Sequence, residues 1–257
     1  MTTLLCDLDG VVYRGAQALP GVPEALERLR ASTISVYFIT NNSTRTPEAT
    51  ADKITGLTGV EIDADQVLTS AQAAMTMLGP SDGPVLVVGE EGVRSAVVEA
   101  GLALTDDPGE AGSVVVGLTR SLTYAMIAGA MEAIRLGARF IATNNDTTFP
   151  TEDGLAPGCG AIVAAIAAAS GATPEVAGKP NQPMRDLIKA KVDGDVWVIG
   201  DRLDTDIALA SSDSGWRSVL VLTGITDRVN ASVADVDFVV DGFPEAIDLV
   251  LGHRQES

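Results

Sequence analysis

Asp7 and Asp9 lie in CDLDGVVYRG near the start of the chain, and Asp201, Asp204 and Asp206 lie in WVIGDRLDTDIA far beyond it. Each group follows a short apolar run of strand character, Leu4-Leu5-Cys6 before the first and Val196-Trp197-Val198-Ile199 before the second. Carboxylates brought together at adjacent strand ends repel one another unless a cation sits between them. A set of hard oxygen ligands points to Mg²⁺, and Mg²⁺ points to a phosphate as the group it helps to bind.

Hydrolysis of a phosphate monoester is among the slowest uncatalysed reactions, so the barrier has to be lowered from several sides. A carboxylate nucleophile divides the reaction through an aspartyl-phosphate, a metal neutralises the transferring oxygens, and a general acid protonates the leaving alcohol. Asp7 is the candidate nucleophile, because it stands directly after a strand that would hold its backbone rigid. Asp9, followed by Gly10 to turn the chain, can protonate the leaving group and then activate water. Asp201 would complete the Mg²⁺ site, with Asp206 on the first turn of the next helix orienting it from behind. The plainer alternative, that Asp-Leu-Asp-Gly only ends a strand, does not account for a second aspartate group after another strand.

Two further segments could face a phosphate. ITNNST, residues 39–44, sets Thr40, Asn41 and Asn42 ahead of a helix that begins at Pro47, and its hydroxyl and backbone N–H groups could hold phosphate oxygens. In isolation the same turn could simply cap that helix. Lys179, in AGKP, could balance Asp7 and the phosphate with its ammonium, where a lone lysine in such a turn would otherwise be solvated.

Composition narrows the alternatives. The chain has 257 residues, 35 acidic and 17 basic, for a formal charge of −18. That balance excludes nucleic acid or an anionic membrane as a partner held through a general basic surface, so any anionic substrate must meet local positive charge. The two cysteines, Cys6 and Cys159, form no CxxC pair, which argues against a disulfide framework or a zinc site. Neither is followed six positions later by arginine, which removes a cysteine-based phosphatase. The single histidine, His253, is read as part of a polar C-terminal tail, and its isolation excludes Ser-His-Asp catalysis and histidine-rich metal sites. No signal peptide is apparent, and the longest apolar run, Ala161 to Ala169, is well short of the roughly 20 residues of a bilayer span. A cytoplasmic protein is expected.

Short β-type runs alternate with helical patterns throughout, which predicts parallel strands joined by helical crossovers, an α/β fold. Expected strands are 4–6, 36–39, 85–88, 114–117, 140–142, 196–199, 219–222 and 238–240. Expected helices are 22–30, 47–56, 71–78, 92–100, 124–136, 160–169, 183–191 and 205–211. In open parallel sheets ligands bind at the carboxyl ends of strands, so Asp7, Thr40 and Asp201 should converge. The long stretch between the second and sixth strands exceeds what one sheet needs there, and residues 71–177 read as an inserted domain that could cover the site. GCGAIV, residues 158–163, imitates a dinucleotide fingerprint but lacks its third glycine and a preceding strand. No GxxxxGK[ST] loop is present.

These residues together resemble the haloacid dehalogenase superfamily of aspartate-dependent phosphatases. DLDGVV at 7–12 resembles its first motif, Thr40 in ITNN its second, Lys179 in GKP its third, and GDRLDTD at 200–206 its fourth. The paired aspartates of the first motif are similar to the phosphatases and not to the dehalogenases. The insertion resembles a C2-type cap, and TNND at 143–146 with PTEDGLAPGCGA at 150–161 is similar to the NagD-like subfamily, which includes 4-nitrophenylphosphatase, phosphoglycolate phosphatase and glycerol 3-phosphate phosphatase.

The resemblance implies a Rossmann-like parallel-sheet core, residues 1–70 and 178–257, with an inserted α/β cap of C2 type at 71–177. It implies Mg²⁺ held by the Asp7 carboxylate, the Asp9 main-chain carbonyl and Asp201, and an aspartyl-phosphate on Asp7. Asn144, Asn145 and Asp146 of the cap are expected to face the leaving group. The implied partner is a small phosphorylated metabolite, glycerol 3-phosphate or 2-phosphoglycolate first, met by a monomer or homodimer. A nucleoside monophosphate, a broad 4-nitrophenyl phosphate-type range, and transfer to an acceptor alcohol instead of water are the alternatives. A regulatory phospho-acceptor module would be about half this length and needs no cap.

Overall fold

A computed structural model describes residues 2–151, 154–212, 215–231 and 235–253 of the chain. Two parallel sheets carry the architecture. The first has six strands in the order Phe238–Val240, Trp216–Val221, Asp195–Gly200, Thr2–Cys6, Ser35–Thr40 and Val67–Thr69, every neighbouring pair parallel. The second has five, in the order Glu175–Val176, Arg139–Ala142, Ser113–Val116, Val85–Val88 and Leu104–Thr105, also parallel throughout. An antiparallel hairpin, Thr148–Thr151 with Gly154–Pro157, stands beside the second sheet, and a smaller one, Tyr13–Arg14 with Gln17–Ala18, follows the first strand.

The central strand Thr2–Cys6 is buried along its whole length, because helices cover both faces of a parallel sheet. Its side chains alternate between two cores, as the period of a strand requires. Leu4 and Cys6 pack with Phe38, Trp197, Ile199 and the helices Val22–Arg30 and Phe243–His253. Leu5 points the other way, into a cluster with Ile39, Val196 and Val198. This second cluster continues through Ala71, Ala74, Met184 and Ile188 to Val85, Val87 and Val115 of the other sheet. The two sheets therefore share one apolar core through the helices Ser70–Met75 and Gln182–Lys189.

All five strands of the second sheet fall between residues 85 and 176. The strands absent from the sequence reading are short or unpatterned. Val67–Thr69 has three residues, Leu104–Thr105 and Glu175–Val176 have two, and the hairpin contains Pro150 and an exposed Gly154–Leu155. None offers the alternation that identifies a strand.

Three helical expectations change in detail. The helix at Pro47 runs on to Thr58, where Gly59 in the left-handed region ends it. The helix expected over 205–211 opens instead with a wide turn, Leu203–Ile207, in which Arg202 O accepts from Ile207 N at 3.1 Å, and becomes an α-helix only at Ala208–Ser211. His253 is not in a loose tail. It ends the helix Phe243–His253 and meets Trp197 edge-on, ring centroids 5.2 Å apart. Among the described residues, no helix is long and apolar enough to cross a membrane.

Candidate active site

Strands Asp195–Gly200, Thr2–Cys6 and Ser35–Thr40 are adjacent in the first sheet, so Asp201, Asp7 and Thr40 emerge side by side at their carboxyl ends. Asp7 is fixed from the start, since its backbone N–H continues the ladder to Ile199 O at 2.9 Å. Gly10, with φ at +90°, then turns the chain tightly across the site. A Cβ at Gly10 would come within 2.7 Å of Asp201 Oδ2, so only glycine leaves that carboxylate its place.

Lys179 reaches this group from the start of another segment. Its Nζ donates to Asp7 Oδ1 at 2.5 Å, Asp206 Oδ1 at 2.6 Å and Ile39 O at 3.2 Å, and the residue is 4 % exposed. Burial works against the ammonium, but Asp206 and Asp7 outweigh it and hold the group charged well above its ordinary range. Burial pushes Asp7 well above the usual carboxylate range, Lys179 pulls it back, and Asp206 and Asp201 push it up again. Asp201 is raised by burial and then by Asp206, to about 7, while a hydrogen bond from Ile225 N at 2.7 Å opposes the shift.

Asp7, Asp201 and Asp206 each offer one oxygen, and these oxygens lie within 4.8 Å of one another. Asp201 Oδ1 is buried without a hydrogen-bond partner. A buried carboxylate oxygen left unpaired is costly, and three converging carboxylates against one lysine leave net negative charge. Both observations fit a hard divalent cation such as Mg²⁺. The Asp9 side chain is outside this trio. It sits where burial raises it and Lys53, Lys179 and a hydrogen bond from Asn42 draw it down.

The segment Thr40–Thr44 folds on itself. Thr40 Oγ1 accepts from Asn42 N at 3.0 Å, and Asn42 Oδ1 accepts from Thr44 N at 3.0 Å. The helix cap is a separate residue, Thr46, whose side chain accepts from Ala49 N. Asn41 ties three parts of the chain together: its Oδ1 accepts from Lys179 N at 2.8 Å, and its Nδ2 donates to Lys179 O at 3.3 Å and to Asp146 Oδ2 at 3.2 Å.

A cavity of about 890 Å³ opens over these groups. Asp7, Asp9, Thr40, Asn41, Asn42, Lys179, Asp201 and Asp206 line it from the first sheet, and Asn144 and Asp146 from the loop after strand Arg139–Ala142. Asn144 is buried, donates to Asn41 O at 2.6 Å and accepts from Asp146 N at 3.1 Å, so it braces the loop. Asn145 is exposed and does not line the cavity. Its carbonyl and that of Asp146 instead lie against Gly160 and Gly158, where a side chain would collide with them. The two glycines of GCGAIV thus serve close packing of this loop on the helix Cys159–Ser170. Of PTEDGLAPGCGA, Glu152 and Asp153 lie outside the described residues.

The family model for haloacid dehalogenase-like hydrolases matches residues 4–103, and a HAD-hydrolase-like model matches 176–246. The chain is 37 % identical over 229 residues to the 5'-nucleotidase YutF of Bacillus subtilis, covering 87 % of this chain and 88 % of that one. It belongs to the haloacid dehalogenase-like hydrolases. Among solved structures, a hypothetical protein from Pyrococcus horikoshii superposes with a TM-score of 0.90 at 37 % identity, covering 97 % of this chain and all of that one. The glycerol phosphate phosphatase of Mycobacterium tuberculosis, solved in complex with magnesium, superposes with a TM-score of 0.87 at 35 % identity, covering 95 % of this chain and 75 % of that one.

This haloacid dehalogenase-like hydrolase also lines its cavity with residues that sequence reasoning missed. Arg45, Lys53, Arg120, Arg202, Glu90 and Phe149 all face it. Arg202 stands inside GDRLDTD and grips Asp204 with two hydrogen bonds, 3.1 and 2.9 Å. Arg45 directly follows ITNNST, so its neighbourhood was a usable signal. Lys53 and Arg120 carried none, being single basic residues on a helix and a loop whose convergence only the fold produces.

Proposed function

We propose that the chain is a Mg²⁺-dependent phosphatase that hydrolyses small phosphate monoesters through an aspartyl-phosphate on Asp7. The observation that carries this reading is the buried contact of Lys179 with Asp7 and Asp206, beside an Asp201 oxygen that lacks a partner, at the floor of one cavity. Asp7, Asp201 and the Asp9 main-chain carbonyl would hold the cation, with Asp206 fixed behind them by Lys179 and by Arg202 N at 3.2 Å. When bound, Mg²⁺ supplies positive charge to the transferring phosphoryl oxygens and lowers the repulsion between them and the attacking carboxylate.

The remaining work falls to side chains. Asp7 attacks phosphorus, and Lys179 offsets the charge that the two carboxylates and the phosphate bring together. Thr40 Oγ1 already accepts from Asn42 N, which directs its own hydroxyl proton to a ligand oxygen. Asp9, whose carboxyl burial raises above its ordinary range, donates a proton to the leaving oxygen and then takes one from the attacking water. Residues 1–70 and 178–257 serve as the catalytic unit, and residues 71–177 serve as a cap that excludes bulk water. The leaving group lies between them, against Asn144 and Asp146.

The cavity suits a small metabolite, glycerol 3-phosphate or 2-phosphoglycolate ahead of a nucleoside monophosphate or 4-nitrophenyl phosphate. The same reading takes the protein as cytoplasmic, acting as a monomer or homodimer. Phosphate release from these four esters, with Mg²⁺ and with EDTA, tests it. Metal-dependent release without an acceptor alcohol is expected. Release that requires an acceptor would make the protein a phosphotransferase, and no release from any ester would overturn the reading.

A further inference from the structure

Five of the 17 lysines and arginines line the one cavity just described, in a chain of charge −18. Two of the five are committed: Lys179 to Asp7 and Asp206, and Arg202 to Asp204. Arg45, Lys53 and Arg120 are not needed by that chemistry. Arg45 and Lys53 make no salt bridge within 4.0 Å among the described residues. Lys53 lies over the Tyr13 ring, 3.5 Å from its centroid, on the Asp9 side of the site. Arg120 meets Glu90 at 3.5 Å and faces the Phe149 ring at 5.5 Å, with 61 % of its side chain exposed.

The three cations are close enough to act on one another. Burial pulls the Lys53 ammonium below its ordinary pKa, Asp9 pulls it back, and Arg45 and Arg120 press it down again. Asp9 and Glu90 are the acidic groups that face them, and neither lies within salt-bridge reach of Arg45 or Lys53. Three like charges lining the Asp9 side of the cavity, two of them without an ion-pair partner among the described residues, form a site for an anion.

We propose that Arg45, Lys53 and Arg120 form a second anion subsite on the Asp9 side of the cavity, selecting phosphate monoesters that carry a further carboxylate or phosphate. The inference rests on the phosphatase reading and narrows it. Phosphocarboxylates or bisphosphates of two or three carbons are the substrate class, and glycerol 3-phosphate, with only hydroxyls beyond its phosphate, is disfavoured. The phosphate to be cleaved lies over Asp7 and Lys179, and the second anion lies between the three cations, with Leu57, Leu118 and Phe149 lining the space around it.

Binding of non-hydrolysable analogues to the Mg²⁺-loaded protein tests the subsite apart from turnover. Calorimetry on phosphonoacetate and ethylphosphonate compares ligands of similar size that differ in the second anion. Phosphonoacetate should bind at least about tenfold tighter, the worth of one good charge-assisted contact. That advantage should shrink at least about threefold in Arg45→Gln, Lys53→Gln and Arg120→Gln, while ethylphosphonate changes less. Ethylene-1,2-bisphosphonate distinguishes the two anions: the tighter of it and phosphonoacetate names the one preferred. Equal affinity for phosphonoacetate and ethylphosphonate in the unsubstituted protein would overturn the subsite, as would an advantage that survives all three substitutions intact. Failure of phosphate release from every ester, with the affinity difference present, would instead sink the phosphatase reading and leave the subsite standing.

Discussion

The Lys179 ammonium lies 2.5 Å from a carboxylate oxygen of Asp7, a residue 172 positions earlier in the chain. The same nitrogen is shared with Asp206, which is fully buried, so one cation compensates two buried anions. Removing one partner of such a set leaves charges buried and unpaired, at a cost of about 3–5 kcal/mol. Lys179→Met should therefore be destabilised by about that much in EDTA, and by less in Mg²⁺, which would take over part of the compensation. Urea denaturation under both conditions reads this. Equal stability of variant and unsubstituted protein in EDTA would show that the contact does not hold the site together.

Asp7→Asn keeps the shape of the side chain and removes the nucleophilic oxygen anion. Turnover should fall by about a thousandfold or more, with the circular dichroism spectrum unchanged. Retained turnover in a folded variant would remove Asp7 from the nucleophile role, whatever the contact with Lys179.

For Asp9 the informative variable is the leaving group. An alkoxide needs a proton to depart, whereas 4-nitrophenolate departs without one. In Asp9→Asn, kcat for an alkyl phosphate should fall at least about tenfold more than the first-turnover rate with 4-nitrophenyl phosphate. Rapid mixing should also show a burst of nitrophenolate, because the aspartyl-phosphate forms but finds no base to activate water. Equal losses on both esters, with no burst, would assign Asp9 a purely structural part.

Sequence pattern and fold part company at identifiable places. Asp7, Thr40 and Asp201 could be brought together on paper because each ends a strongly apolar strand, and parallel sheets align such ends. Lys179 needed more than spacing, since nothing local distinguishes a buried lysine from a solvated one. Its burial follows from the Asn41 side chain, which holds the Lys179 backbone N–H. Asn145 was grouped with Asn144 and Asp146 by adjacency, yet neighbouring residues of an irregular loop need not share a direction. Its exposure follows from the packing of its carbonyl on Gly160. The wide turn at Leu203–Ile207 was illegible for a related reason. Asp206 accepts from both Lys179 and the Arg202 backbone, tertiary demands that no helix propensity records.

Asp201 couples metal binding to pH. Burial, with Asp206 beside it, raises its carboxyl to about 7 in the metal-free protein, from 3.8 for a free side chain. A carboxyl raised on folding contributes stability that is present in full below the free value and is lost as pH rises through the folded one. In EDTA, the melting temperature should thus fall between about pH 4 and pH 7 by more than it does in Mg²⁺. Mg²⁺ requires the carboxylate, so its apparent affinity should climb by about tenfold per pH unit below pH 7 and level off above it. Asp7 is raised as well, by burial and then by Asp206 and Asp201 against Lys179, so its proton and that of Asp201 are linked. Calorimetric Mg²⁺ titrations in buffers of different ionisation enthalpy count those protons directly. An affinity that is flat from pH 5.5 to 8, with no proton released, would mean that Asp201 is already ionised without the metal and that its orphaned oxygen is compensated in some other way.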